Sequence, residues 1–268
     1  TNDNIVNNNH DKVKTNDNNS KLEVIKFDKF SNIEVLEDGV CGLKVCCIKV
    51  EYKGTQYILK EMRKSFNYGR DYAFIDELKD YFSVKPINMK RIKCDKYLTR
   101  IDTNKKTLVK NWKFIDGEAY YCMMNLFDNI GDIGKHKGFL EDEDVFINCL
   151  KIMLYDGLFC SSDNIQRNIL VNSNKEVLSI DEGAIYGKRQ NIFNKNDWFT
   201  KAVNLEKTKI ISNKIIEQWI LESKIDIVKE TLIKYGFSDK VDTMKERFLN
   251  YKNIIKNELN INSYVIVK

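Results

Sequence analysis

From Leu22 onward apolar residues recur along the chain, at first with the alternation of strands and later with the period of helices. Residues 1–20 are rich in Asn and nearly free of apolar side chains. They cannot bury enough surface to offset the entropy of ordering, and they read as a flexible tail. The run Ile33-Glu34-Val35-Leu36 is followed by a turn at 37–42, then by β-rich runs at 45–52 and 55–62 joined at Lys53-Gly54, the signature of a hairpin. Residues 72–82 carry apolar side chains at 75, 78 and 82 and predict an amphipathic helix, which Pro86 prevents from continuing. Strands are expected over 87–118, with a charged turn at 102–106. A buried strand follows at 119–124 and leads into Asn125-Leu126-Phe127 and a Gly-containing loop at 131–138. Residues 141–159 open with acids and repeat apolar residues at 145, 146, 149, 150, 153 and 154, a strong helical period. Short apolar runs at 169–171 and 177–178 flank a polar turn, 210–235 reads as mostly helical, and 241–259 as a last amphipathic helix. Strands first and helices later is the order of an α+β fold.

The chain has 268 residues, 43% of them apolar and 31% charged, which marks a globular protein of one large or two small domains. The net charge of +5 is modest and includes no long Lys/Arg block, so nucleic acid is not implied. A mild positive balance suits an anionic nucleotide but decides little. The seven Cys (41, 46, 47, 94, 122, 149 and 160) form no C-x2-C pair, and most stand in apolar runs. Reduced, buried thiols in an intracellular protein are the plain reading. His10 and His136 are too few for a typical His-based zinc site. No apolar run reaches the length of a membrane span and no signal peptide is visible, so a cytoplasmic location is expected. Abundant Asn, Lys and Ile with a single Pro look like the product of an AT-rich genome, such as that of a protist or a large DNA virus. For a virus, the location would be the host cytoplasm.

The stretch 158–183 carries the most chemistry. Asp163 is followed five positions on by Asn168. Then come the apolar run Ile169-Leu170-Val171, a polar turn, a second apolar run, and Asp181-Glu182-Gly183. A hairpin between the two runs would gather Asp163, Asn168 and Asp181 in one small volume. Hard oxygen donors of this kind suit Mg²⁺ held together with a nucleotide, since Mg²⁺ usually takes one or two carboxylates plus substrate phosphates.

D-x4-N, a hairpin and then D-x-G resembles the catalytic core of protein-kinase-like phosphotransferases. The resemblance covers roughly residues 30–200 and implies a two-lobed fold. Residues 21–124 would form a β-rich N-lobe with one helix, and 125–268 a larger helical C-lobe. It implies Asp163 as catalytic base and Asn168 and Asp181 as magnesium ligands. Lys60, at the end of an apolar strand, would be the Lys on the α- and β-phosphates. The helix at 72–82 would supply that Lys with an acid; Glu77 is preferred, with Asp76 and Asp71 as close rivals. Gly39 and Gly42 stand where the family has a glycine loop, at shifted spacing, and a plain hairpin turn explains them as well. Met124 to Leu126 would form the hinge that reads adenine through backbone groups.

Several features depart from the family pattern. H-R-D is Ser161-Ser162-Asp163, and D-F-G is Asp181-Glu182-Gly183. The Lys normally two positions after the catalytic Asp is replaced by Ile165. Arg167 is the candidate for its charge, and a solvent-exposed Arg the alternative. No A-P-E motif follows. These variants look more like the atypical branches: phosphoinositide-kinase-like, actin-fragmin-kinase-like and small-molecule kinases. The expectation is an ATP- and Mg²⁺-dependent kinase acting on a hydroxyl, with protein Ser/Thr slightly preferred over a small molecule or lipid head group. A pseudokinase that binds nucleotide as a scaffold, an AMP transferase on the same fold, and a purely structural α+β protein stand as alternatives.

Overall fold

The computed structural model describes residues 22–36, 47–62, 70–100, 112–135, 137–160, 168–180 and 205–265. Its N-terminal part is a mixed sheet of six strands: β1 (Glu23–Val24), β2 (Ser31–Leu36), β3 (Cys47–Tyr52), β4 (Thr55–Glu61), β5 (Lys90–Arg100) and β6 (Trp112–Asn125). They lie in the order β1-β5-β6-β4-β3-β2, antiparallel throughout except that β1 runs parallel to β5. The expected β3–β4 hairpin forms. Lys53 and Gly54 have φ of 51° and 77°, so both turn residues are left-handed, which matches the twist of the flanking strands.

The register sorts the side chains of the sheet onto two faces. Ile48, Val50, Leu59, Ile92, Tyr121 and Met123 form one apolar face, packed with Ile25, Phe27 and Phe30 from the segment before β2. Ile58, Lys60, Cys122 and Met124 share the other face, Ile58 opposite Met124 and Lys60 opposite Cys122. The residues expected as separate strands before and after 118 are one strand, β6, interrupted by a bulge. Cys94 pairs with Ala119 but Lys96 with Asp116, so two β6 residues face one on β5. Gly117 makes the bulge possible: its φ is 155°, and a Cβ there would stand 2.9 Å from the Tyr97 ring.

The C-terminal part is mostly helical: α2 (Glu143–Leu158), α3 (Leu205–Trp219), α4 (Glu222–Lys234) and α5 (Val241–Val265). It includes a small antiparallel sheet ordered β7-β8-β9, with β7 (Gly131–Asp132), β8 (Ile169–Val171) and β9 (Val177–Ser179). The two-residue β7 falls in the segment expected to be a loop. The helix expected over 210–235 is broken between α3 and α4, at Ile220 and Leu221. No Gly or Pro marks that break. Trp219 is drawn inward against Phe82 (centroids 5.3 Å apart) and Tyr155 (6.4 Å), and this packing overrides the continuous apolar pattern.

Between β4 and β5 runs α1 (Arg70–Leu78), followed by a 3₁₀ turn, Lys79–Phe82, that ends at left-handed Ser83. Its apolar residues Phe74, Ile75, Leu78 and Phe82 are fully buried and belong to the helical core. Phe74 meets Phe159 edge-on at 5.6 Å and Phe237 at 5.8 Å. In sequence α1 interrupts the sheet, but its packing anchors it to the helices. The described cysteines, 47, 94, 122, 149 and 160, are all buried and unbridged. Among the described residues no helix is long and apolar enough to cross a membrane.

Candidate functional site

Lys60 lies in a row of cross-strand neighbours, Cys47–Lys60–Cys122–Arg91, that spans β3, β4, β6 and β5. Paired residues point to the same face of a sheet, so Lys60 and Arg91 flank Cys122 on the side that carries Ile58 and Met124. Burial pushes the Cys122 thiol up to about 12, with Lys60 and Arg91 pulling it down and Asp76 pushing it further up. A thiol so shifted stays protonated near neutrality and acts as a packing residue. The Lys60 ammonium lies 3.4 Å from the Tyr72 hydroxyl and 4.9 Å from the centre of its ring. Tyr72 and Asp76, four apart on α1, share a helix face. Asp76 therefore lies on the Lys60 side of α1.

Glu77, expected to pair with Lys60, turns to α4 instead. Both its oxygens accept from Lys234 Nζ at 2.7 Å, and Oε2 also accepts from the Tyr235 hydroxyl at 2.6 Å. Consecutive helix positions point about 100° apart, so only one of Asp76 and Glu77 can face the sheet. Asp76 is nearly buried and holds the chain after Pro86. Oδ1 accepts from Ile87 N at 2.6 Å and Oδ2 from Met89 N at 2.7 Å. The fully buried Lys79 ammonium stands 3.9 Å from Asp76 and donates to the Ser179 carbonyl at 3.3 Å. A buried ion pair thus links α1 to the end of β9.

The hairpin expected between Asn168 and Asp181 is present as β8 and β9. Asn172 builds its turn: Oδ1 accepts from Asn174 N at 3.0 Å and Glu176 N at 2.9 Å. Asn168 precedes β8, and its carbonyl accepts from Ile180 N at 2.8 Å, one step beyond the Ile169–Ser179 pair. The residue before Asp181 is thereby tied to Asn168. The hairpin meets the sheet through an apolar cluster of Ile87, Met124 and Leu178, with Ile58, Met89, Phe127 and Ile180 packed against it. Lys60 stands two residues beyond Ile58 on the same face, about 7 Å along β4. The Lys60 face of the sheet is thus the one that packs on the hairpin leading to Asp181.

Met124 and Leu126 lie where the chain leaves the sheet for the helical part. Leu126 N donates to Gln56 O at 3.1 Å, extending the β4–β6 ladder, and the chain then enters β7. Gly39, Gly42, Asp163, Arg167 and Asp181 lie outside the described residues. Among the described residues no group of three or more His, Cys, Asp and Glu converges as a metal site. Asn168 immediately precedes β8, and its side chain carries the kind of hard oxygen donor that Mg²⁺ takes beside phosphates. Two surface cavities, of about 340 and 370 Å³, lie elsewhere, one beside Val24, Lys93 and Gly117, the other between Val84, Ile152 and Val177.

Tyr72 and Lys79 do not stand out in the sequence reading. The signal for Tyr72 is its spacing of four from Asp76; Lys79 gives none, because an isolated Lys in a helix ordinarily faces solvent. The chain matches no model of a known protein family, and no curated protein matches it.

Proposed function

We propose that the chain is an ATP- and Mg²⁺-dependent phosphotransferase with a two-lobed, protein-kinase-like arrangement. The observation that carries this reading is the meeting of the Lys60 face of the sheet with the β8–β9 hairpin through Met124, Leu178, Ile58 and Ile180. Asn168 immediately precedes β8, Asp181 follows Ile180 in the sequence, and Asp163 precedes Asn168 by five positions. In this reading Lys60 steadies the phosphates, Asp163 orients the acceptor hydroxyl and takes its proton, and Arg167 adds positive charge near the transferred group. Asn168 and Asp181 would hold Mg²⁺, which when bound neutralises phosphate charge. Met124 and Leu126 would border the base, and Gly39 and Gly42 would approach the phosphates. Catalysis would rest on positioning and charge stabilisation. Protein Ser/Thr is the preferred acceptor and a small molecule the next.

A nucleotide-binding scaffold without turnover is the second reading. It is favoured by the engagement of Glu77 with Lys234 and Tyr235 rather than with Lys60.

The test incubates the chain with Mg²⁺ and ATP labelled at the α- or the γ-phosphate, with casein as acceptor and with the chain alone. Transfer of γ-label, reduced by about a hundredfold in Lys60→Met and Asp181→Asn, is the expected result. Transfer of α-label would make the protein a nucleotidyl transferase. Nucleotide binding without any transfer would leave the scaffold reading, and neither binding nor transfer would refute both.

A further inference from the structure

We infer that Tyr72 positions Lys60, and that the engagement of Glu77 with α4 fixes the rotation of α1 that presents Tyr72 to the sheet. The inference deepens the phosphotransferase reading and rests on it for its catalytic meaning. Its structural part stands on the contacts among Lys60, α1 and α4.

A lysine ends in a point charge on a flexible four-carbon stem, and a ligand that must order the stem loses affinity to that entropy. Tyr72 orders it beforehand in two ways. Lys60 Nζ donates to the Tyr72 hydroxyl at 3.4 Å, a long hydrogen bond, and stands over the ring, 4.9 Å from its centre. The negative face of an aromatic ring attracts a cation at this range. Neither a hydroxyl nor a ring cancels the charge of the ammonium, as a carboxylate would. Arg91, in the same cross-strand row, adds a second cation to that face of the sheet. A polyphosphate is the class of ligand that such a face suits.

The placement of Tyr72 is set by the rest of its helix. Tyr72, Asp76 and Lys79 are spaced by four and three and form one polar stripe. Asp76 accepts from Ile87 N and Met89 N, and Lys79 donates to the Ser179 carbonyl. The far end of the stripe is thus pinned to the connection before β5 and to the end of β9. Phe74, Ile75 and Leu78 are buried in the helical core, and the Tyr155 hydroxyl donates to Ile75 O at 2.6 Å. Glu77 comes five positions after Tyr72, about 140° round the helix. Its bonds to Lys234 Nζ and the Tyr235 hydroxyl hold α1 from another side. Turning α1 to bring Glu77 toward the sheet would break those bonds and carry Tyr72 away from Lys60. The contacts that keep Glu77 off Lys60 therefore keep Tyr72 on it. Tyr72 touches Lys60 and not the ligand in this account; it is a positioning residue.

The test compares the full native chain with Tyr72→Phe, Tyr72→Leu and Glu77→Ala. Two readouts are taken: the rate at which acetic anhydride labels each lysine without nucleotide, followed by mass spectrometry, and KM and kcat for Mg-ATP with casein. An ammonium released from a hydroxyl and a ring gives up its proton more readily and is easier to reach. Tyr72→Leu should therefore speed labelling of Lys60 by about tenfold and raise KM for Mg-ATP by a similar factor. Tyr72→Phe, which keeps the ring, should change both by about threefold. Labelling of the exposed Lys90 on β5 should hold in every variant. Glu77→Ala should move Lys60 in the same direction by less than Tyr72→Leu. If Tyr72→Leu labels fast at every lysine, as an unfolded chain would, Tyr72→Phe decides. Native labelling of Lys60 in the folded Tyr72 variants would overturn the inference, as would a native KM. Native labelling in Glu77→Ala would overturn the part given to α4. If the native chain neither binds nor transfers, the phosphotransferase reading alone fails, and the labelling of Lys60 decides whether Tyr72 positions it.

Discussion

Asp76 is the residue whose role differs most from its neighbour's. It sits beside Glu77 in the sequence, and distance from Lys60 could not separate the two. The helix separates them: Asp76 faces inward to Ile87 N, Met89 N and Lys79, and Glu77 outward to α4. Removing Asp76 leaves the Ile87 and Met89 amides without their acceptor and takes a negative charge from beside the buried Lys79 ammonium. Asp76→Ala should therefore cost about 3–5 kcal/mol, measured by urea unfolding, and Asp76→Ala with Lys79→Met should recover part of that loss. A single substitution costing no more than an exposed one would show that the pair does not hold α1. Lys60 was legible as a Lys ending an apolar strand. Its contact with Tyr72 was not, because pairing between a strand and a helix depends on how α1 is rotated.

At the scale of elements, legibility followed period. β3, β4, β8 and β9 fall on alternating or short apolar runs bounded by turn residues, and α2 and α5 on clear helical repeats. The pattern misled where tertiary packing intervened: at the Gly117 bulge, at the two-residue β7, and at the break after Trp219. The start of α2 joins two elements. Asp142 caps it, Oδ1 accepting from Asp144 N at 3.1 Å and Val145 N at 3.3 Å, while Oδ2 meets Lys175 Nζ of the β8–β9 turn at 2.5 Å. The Lys175 ammonium, with help from the capped amides, holds the Asp142 carboxyl below its ordinary range. A carboxyl lowered on folding stabilises the folded state above its unfolded pKa, and that contribution fades as pH falls through the folded value. Below about pH 4 the melting temperature of the native chain should therefore fall more steeply than that of Asp142→Asn, which keeps the capping oxygen but has no charge to lose. Parallel curves for the two proteins would mean that the pair with Lys175 adds nothing.

At the scale of the whole molecule, the sheet and the helices have separate apolar cores, and a third cluster joins them at Met124 and Leu178. The α+β order was legible because the six strands of the larger sheet precede most of the helices along the chain. The joining cluster was not, since its members come from β4, β6, β9 and the connections beside them. That cluster turns a set of spaced residues into a candidate site, by packing the Lys60 face of the sheet on the hairpin that runs to Asp181.

The most direct measurement is thermal unfolding of the native chain, Lys60→Met and Asp181→Asn, each with and without Mg²⁺ and ATP. A ligand that binds only the folded state adds about 2.7 kcal/mol at a hundred times its dissociation constant. The account predicts a Mg²⁺-dependent rise in the native midpoint that is lost in both variants, whose midpoints without ligand stay close to native. No rise in the native chain, or an undiminished rise in both variants, would contradict a nucleotide site between Lys60 and the hairpin.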